Sequence, residues 1–342
     1  MQAVSTRADL DRVRRLLGDP RAPLVALAAI LALSLGARVL QIQQPCQSPC
    51  TTPAEHTLIF DEAFYVNAAR VIAGIHPPAS AAYGTAPLGR DPNAEHPQLA
   101  KVVIAAGIGL FGDDPWGWRL GSVLFGLIAM GALYALVRGA GGSRWLGAGA
   151  VAVMALDNLM LVHGRIATLD IYAVAMMLVA GALYVRRRPW LVGAALGVGA
   201  CMKVVALYLL VALVLYEAVP MLHPPAGHRR RLADLWPLLA CVFTSAVCFF
   251  GLLWALDLLV PAFDPGTGKL YAGSPFTHFS HMITYAASLK TTPHAHGIAS
   301  TAWQWLLDQK PIDYARVAVN EIVRGKTVAS HATIDFRGEM TP

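Results

Sequence analysis

Long apolar runs alternate with short polar connections along most of this chain. A membrane-spanning helix needs about 20 predominantly apolar residues, fewer where it is bent or shielded. On that measure the pattern predicts seven spans, near Leu24–Gln41, Arg119–Val137, Trp145–Val162, Thr168–Val185, Trp190–Met202, Val204–Val219 and Leu235–Leu258. The fifth and sixth are short and almost continuous. Residues 42–118 and 259–342 lack the pattern. The first of these is too long for a turn and is expected to carry function or local structure. The expected fold class is an all-α polytopic membrane protein, with residues 1–258 as its transmembrane domain and 259–342 as a loop region on the outer face.

Two helices are expected inside the 42–118 loop. The segment HPQLAKVVIAAGIGLFG, His96–Gly112, has an apolar core of only about fourteen residues, short for a span. Counting it as a span would also invert every later connection, so it is read as an interfacial helix. The segment DEAFYVNAARVIAG, Asp61–Gly74, is read as a second. Asp61 is a candidate N-cap and Glu62 suits the first turn. Phe64, Val71 and Ile72 can share an apolar face at helical spacing.

Composition agrees with a membrane protein. Of the 342 residues 56% are hydrophobic and 14% charged, with a mean hydropathy of +0.51. Soluble domains hold about 45–50% apolar residues. The net charge of +6 does not indicate nucleic acid, because no basic stripe with stacking aromatics occurs. The arginines lie between apolar runs instead. Arg7, Arg12, Arg14, Arg15 and Arg21 precede the first run; Arg138 and Arg144, then Arg186–Arg188, then Arg229–Arg231 occupy every second connection. Positive charge marks cytoplasmic loops. The N-terminus is therefore expected in the cytoplasm, and the 42–118 and 259–342 regions on the outer face of a bacterial plasma membrane or its equivalent. No cleavage pattern precedes the first run, which is expected to remain as an anchor. Cys201, Cys241 and Cys248 lie in apolar runs and read as small core residues. Cys46 and Cys50 flank a polar turn, where a disulfide and two free thiols both fit the spacing.

Several ionisable residues could carry chemistry. Asp61 and Glu62 are adjacent, about 100° apart on a helix, so one can face a substrate while the other anchors the loop. A carboxylate there can act as a base toward a hydroxyl, or simply cap the helix. Lys101, one turn after Pro97 and behind His96, could meet a lipid phosphate or merely snorkel to the interface. Asp157, Arg165 and Asp170, together with Lys203 and Arg119, lie at the expected outer ends of different spans. Ionisable groups there are usually paired or functional. Three cations converging on the outer leaflet suit an anionic phosphate carrier; internal pairing, for instance of Arg165 with Asp170, fits equally. His294 and His296 do not define a metal site by themselves. Trp303 and Trp305 fit an interfacial aromatic belt.

Five segments, taken in order, resemble the protein O-mannosyltransferases, members of the lipid-carrier-dependent GT-C glycosyltransferases. They are FDEAFYVNAARVIAG, HPQLAKVVIAAGIGLFG, WRLGSVLFG, ALDNLMLVHGRIATLDIY and STAWQWLLDQKPIDY. The resemblance spans about Leu58 to Tyr314. It implies a GT-C-type helical bundle with interfacial helices in the first outer loop. It also implies a polyprenyl-phosphate sugar donor, typically of mannose, a Ser/Thr hydroxyl acceptor, and inversion by direct displacement. Asp61 matches the acid that activates the acceptor and Glu62 its partner in the motif. Lys101, Arg119 and Arg165 match basic positions near the carrier phosphate, and Asp170 an acid of the fourth segment. The resemblance requires no metal cofactor, although a divalent cation is compatible with it. Departures occur at His96–Lys101, HPQLAK against the family's HPPLGK, and after the tryptophan pair. The family continues into further C-terminal spans, which this chain is expected to lack. Transfer to a lipid or glycan, or a catalytically silent membrane scaffold, are the alternatives. A transporter is disfavoured because the notable charges lie at the outer boundary and not at the midplane.

Overall fold

The computed structural model describes residues 18–46, 52, 55–222, 232–289, 303–304, 307, 309, 312–323 and 326–338. Helices dominate: α1 Ala22–Val39, α2 Glu62–Ile72, α3 Leu99–Phe111, α4 Pro115–Gly139, α5 Arg144–Leu156, α6 Asn158–His163, α7 Asp170–Tyr184, α8 Pro189–Met202, a 3₁₀ turn Val204–Leu207 leading into α9 Tyr208–Leu222, α10 Trp236–Leu259 and α11 Pro275–Ser288. Two antiparallel hairpins follow α10: β1 Ala262–Asp264 with β2 Lys269–Tyr271, and β3 Ile312–Val323 with β4 Lys326–Gly338. The 259–342 region therefore holds a helix and two hairpins within the stretch expected as loop.

Four helices among the described residues are long and apolar enough to cross a membrane: Ala22–Val39, Pro115–Gly139, Val204–Leu222 and Trp236–Leu259. Leu33, Val211, Leu215, Phe243 and Leu258 lie exposed on them, as expected where lipid replaces water as the solvent. The other three expected spans are shorter apolar helices. The third is broken: Asp157 ends α5 and caps α6, accepting the Met160 amide at 2.8 Å. An Asp side chain that competes for backbone amides starts a new helix more readily than it continues an old one.

Small residues let the helices meet. Gly193 and Gly197, one turn apart on α8, lie against α10; a methyl at Gly197 would sit 2.6 Å from Cys248 Cβ. This is close packing of the small-xxx-small kind. Helix α4 packs on α7, α7 on α8, and α1 on α5. Helices α2 and α3 pack together, and α3 leans on α4. These two helices thereby pack over one end of the bundle. Helix α2 turns Val71 and Ile72 inward as expected, together with Tyr65, Val66 and Ala69, whereas Phe64 is 48% exposed. Phe64 reaches out to Tyr83 instead.

The two ends of the bundle differ in charge. Arg144 donates to the Pro20 carbonyl, and Gly139 lies against Arg186, so the connections at Arg21, Arg138–Arg144 and Arg186 share one end. Helix α4 begins near Glu62 and finishes at Arg138. Asp61, Glu62, Arg119, Asp170 and Lys203 consequently occupy the opposite end.

Candidate active site

Asp61 stands at the N-terminus of α2, but its side chain makes no capping hydrogen bond. Phe60, immediately before it, adopts a left-handed backbone (φ 51°) and packs edge-on against Tyr314, 4.8 Å between centroids. The turn therefore presents the Asp61 carboxylate inward, half-buried, within electrostatic reach of Lys203 and Asp170. Burial pushes its pKa above the ordinary carboxylate range; Lys203 opposes this, Asp170 adds to it, and a hydrogen bond from Tyr65 opposes it. Tyr65 follows one helical turn later, and its own hydroxyl is pushed up by burial and by the Asp61 charge.

Lys203 and Asp170 complete the centre. Lys203 interrupts the helix between α8 and the 3₁₀ turn in an extended conformation (φ −156°, ψ 129°). Its ammonium donates to Asp170 Oδ1 at 2.6 Å. Asp170 opens α7 and remains 35% exposed. His163 Nδ1 lies 3.8 Å from Asp170 Oδ2 and 3.0 Å from Thr168 Oγ1, and its Nε2 lies 2.7 Å from the Tyr314 hydroxyl. His96 lies edge-on to Tyr65 at 5.9 Å. Burial first, then the Lys101 and Lys203 charges, lowers its pKa to about 3, so its ring is neutral in the physiological range. One carboxylate of raised pKa thus stands beside a cation that a second carboxylate holds in place.

Other expected site residues have structural work. Glu62 is fully buried and pairs with Arg119 through Nε–Oε1 (2.8 Å) and Nη2–Oε2 (2.7 Å). It also accepts the Ala167 and Ile59 amides, each at 2.8 Å. Arg119 Nη1 donates to the carbonyls of Ile42 and Gln44. Glu62 therefore anchors the loop, and both it and Arg119 are engaged by protein partners. Lys101 is likewise fully buried, 2.5 Å from Asp91 and bonded to the carbonyls of Asn93 and His96. For Lys101 and Arg119 the expected carrier contact gives way to internal pairing, and Lys101 does not snorkel. A buried cation must find such partners. Asp157 is the helix cap described above. Arg165 does not pair with Asp170; it is half-buried and donates to the Leu40 carbonyl at 2.7 Å.

Trp303 is 73% exposed; Trp305, His294 and His296 lie outside the described residues. Cys46 is disulfide-bonded while Cys201, Cys241 and Cys248 are free; Cys50 lies outside the described residues. Among the described residues no group of three or more His, Cys, Asp or Glu side chains could hold a metal ion. Sequence reasoning did not single out Tyr65, His163 and Tyr314. The four-residue spacing of Tyr65 from Asp61 was a usable signal; the other two approach through tertiary packing.

Residues 95–254 match the family model described as dolichyl-phosphate-mannose-protein mannosyltransferase. Over that segment, just under half of its length, the chain is similar to that family. The mostly helical class with long apolar helices, expected from the sequence, is the one the structure has. A polyprenol-phosphate-mannose–protein mannosyltransferase of Corynebacterium glutamicum is 33% identical over 123 residues, 35% of this chain and 23% of that protein. A Mycobacterium tuberculosis protein of the same description is 33% identical over 93 residues, covering 27% and 18%. The chain thus spans less than a quarter of the length of these relatives. Among solved structures, it is similar to the Saccharomyces cerevisiae protein O-mannosyltransferase Pmt1-Pmt2 complex bound to the sugar donor, with TM-score 0.49 and 15% identity over 81% of this chain and 38% of that one. It is also similar to ArnT from Cupriavidus metallidurans bound to undecaprenyl phosphate, with TM-score 0.42 and 20% identity over 70% and 42%.

Proposed function

We propose that this integral membrane protein transfers a sugar, mannose by family, from a polyprenyl-phosphate carrier to a Ser/Thr hydroxyl of a protein. The observation that carries the reading is Asp61, released from capping and held beside the Lys203–Asp170 pair. A hydroxyl is a poor nucleophile at neutral pH, and the carrier phosphate must leave as an anion. The site therefore needs a base toward the acceptor and positive charge toward the donor.

Asp61 supplies the base. The acceptor oxygen attacks the anomeric carbon, and its proton passes to the Asp61 carboxylate. The bond from that carbon to the phosphate oxygen breaks, and the phosphate departs with the electron pair. A single in-line displacement inverts the anomeric centre and needs no enzyme nucleophile. Lys203 faces the phosphate, with Asp170 accepting one of the three N–H groups an ammonium carries. Arg165 is the second cation on the donor side. Two cations meet the leaving charge, so the reaction requires no divalent metal. Under this reading the Asp61 end faces outward and the arginine-rich end, with the N-terminus, faces the cytoplasm.

Membranes holding the full chain, given labelled polyprenyl-phosphate mannose and a Ser/Thr-containing peptide, test the reading. Label on the peptide hydroxyl is the expected result. Label on a lipid or glycan alone would replace the acceptor assignment. Absence of transfer despite donor binding would support a silent scaffold.

A further inference from the structure

Beyond Asp61, away from Lys203, the site changes character. Glu95 is half-buried and accepts a hydrogen bond from Asn93 Nδ2 at 2.9 Å. The same amide nitrogen lies 3.1 Å from the Tyr83 hydroxyl. Its orientation is not arbitrary, because the buried Lys101 ammonium lies 3.2 Å from Asn93 Oδ1. An ammonium has only donors, so the amide oxygen must face Lys101 and the NH₂ must face Glu95 and Tyr83. The buried ion pair of Lys101 and Asp91 thereby sets an acid and a phenol in place at the outer surface.

Two short paths lead from Glu95 back to Asp61. In one, Tyr83 meets the Phe64 ring edge-on at 6.4 Å, and Phe64 sits in the first turn after Asp61. In the other, His96 meets Tyr65, the residue that hydrogen-bonds Asp61. Tyr285 of α11 lies within electrostatic reach of both Glu95 and Asp61. Phe64 and Tyr285 are 48% and 38% exposed, so ring surface is open to a ligand beside the half-buried Glu95. Aromatic surface combined with a fixed carboxylate is chemistry for a cation. It repels a phosphate, which places the acceptor and not the carrier on this side.

We propose that Glu95, with Phe64, Tyr83 and Tyr285, forms an acceptor-selecting subsite that takes a Lys or Arg side chain close in sequence to the modified hydroxyl. The assignment rests on the transfer reading above and adds a specificity determinant to it. The test uses paired acceptor peptides that differ only in carrying Lys or Gln beside the Ser/Thr. Wild-type and Glu95→Gln full-length chains are compared in membranes by the ratio of kcat/KM for the two peptides. A charge-assisted contact predicts a preference of about tenfold or more for the Lys peptide in the wild type. The ratio should fall to near one in Glu95→Gln, and the preference should weaken in Tyr285→Leu. Equal use of both peptides by the wild type, or an undiminished preference in Glu95→Gln, overturns the subsite and leaves the transfer reading standing. Absence of transfer to either peptide by a wild type that binds donor overturns both.

Discussion

Arg119 and Glu62 lie side by side with two parallel hydrogen bonds, Nε to Oε1 at 2.8 Å and Nη2 to Oε2 at 2.7 Å, both side chains buried. The pair joins α4 to the start of α2, and through Ile42, Gln44, Ile59 and Ala167 it gathers three separate chain segments. Its position next to Asp61 makes it the frame on which Asp61 is mounted. Removing one partner of a buried ion pair costs about 3–5 kcal/mol, because the other charge is left without compensation. Glu62→Gln is therefore expected to lower the unfolding temperature in detergent markedly. An unchanged unfolding temperature would mean that the pair does not organise this end of the bundle.

The same logic applies to Lys101. Its ammonium, sealed against Asp91, Asn93 and His96, holds the loop that carries Glu95 and His96. Lys101→Met should destabilise the protein by a similar amount, and Lys101→Met with Asp91→Leu should recover much of the loss, since an apolar pair can replace a buried ion pair. Thermal unfolding of the single and double variants measures the recovery. A double variant no more stable than Lys101→Met alone would show that the two charges do not compensate one another.

Much of this was legible in the chain. Span length is written directly in the apolar runs, so α1, α4, α9 and α10 follow from hydropathy alone, and the placement of Lys203 between two helices follows from the interruption of the apolar pattern. The pairings were not legible. Arg119 is 57 positions from Glu62, and Lys203 is 33 from Asp170; local periodicity cannot report such contacts. An acid or base in a membrane-adjacent segment reads as functional, and seven of them looked alike. Burial sorted them: Lys101, Arg119 and Glu62 are sealed in protein, Asp157 is spent on a cap, and Asp61, Asp170 and Lys203 remain accessible enough for substrate. On α2 only Phe64 departs from the expected core face, because it looks like a core residue until Tyr83 gives it an outside partner.

On the donor side, Lys203→Ala and Arg165→Ala should each weaken binding of the polyprenyl-phosphate donor. Loss of a charge-assisted contact costs about 1.5–3 kcal/mol, tenfold or more in affinity. Equilibrium binding of a labelled donor to purified variants measures this. Wild-type affinity in both variants would remove the two cations from the phosphate.

The raised pKa of Asp61, caused chiefly by burial, fixes the direction of a pH effect. The base works only when ionised. As pH falls through the raised value the carboxylate takes up a proton and transfer declines, so the acid limb of kcat/KM should lie above the ordinary carboxylate range. His96, held neutral by burial down to about pH 3, should not contribute to that limb. Lys203→Met removes the cation that opposes the shift and should move the limb further upward. A limb at the ordinary carboxylate value, or a downward movement in Lys203→Met, would contradict the electrostatic arrangement.

The central claim is that Asp61 removes the acceptor proton. Asp61→Asn keeps the side chain's shape and any capping ability while removing the charge. The direct measurement is sugar transfer from labelled polyprenyl-phosphate mannose in membranes, at matched protein levels, with donor binding measured on the same preparations. Asp61→Asn should insert normally, bind donor almost as the wild type does, and lose most transfer. Wild-type turnover in that variant would contradict the account and remove Asp61 as the base.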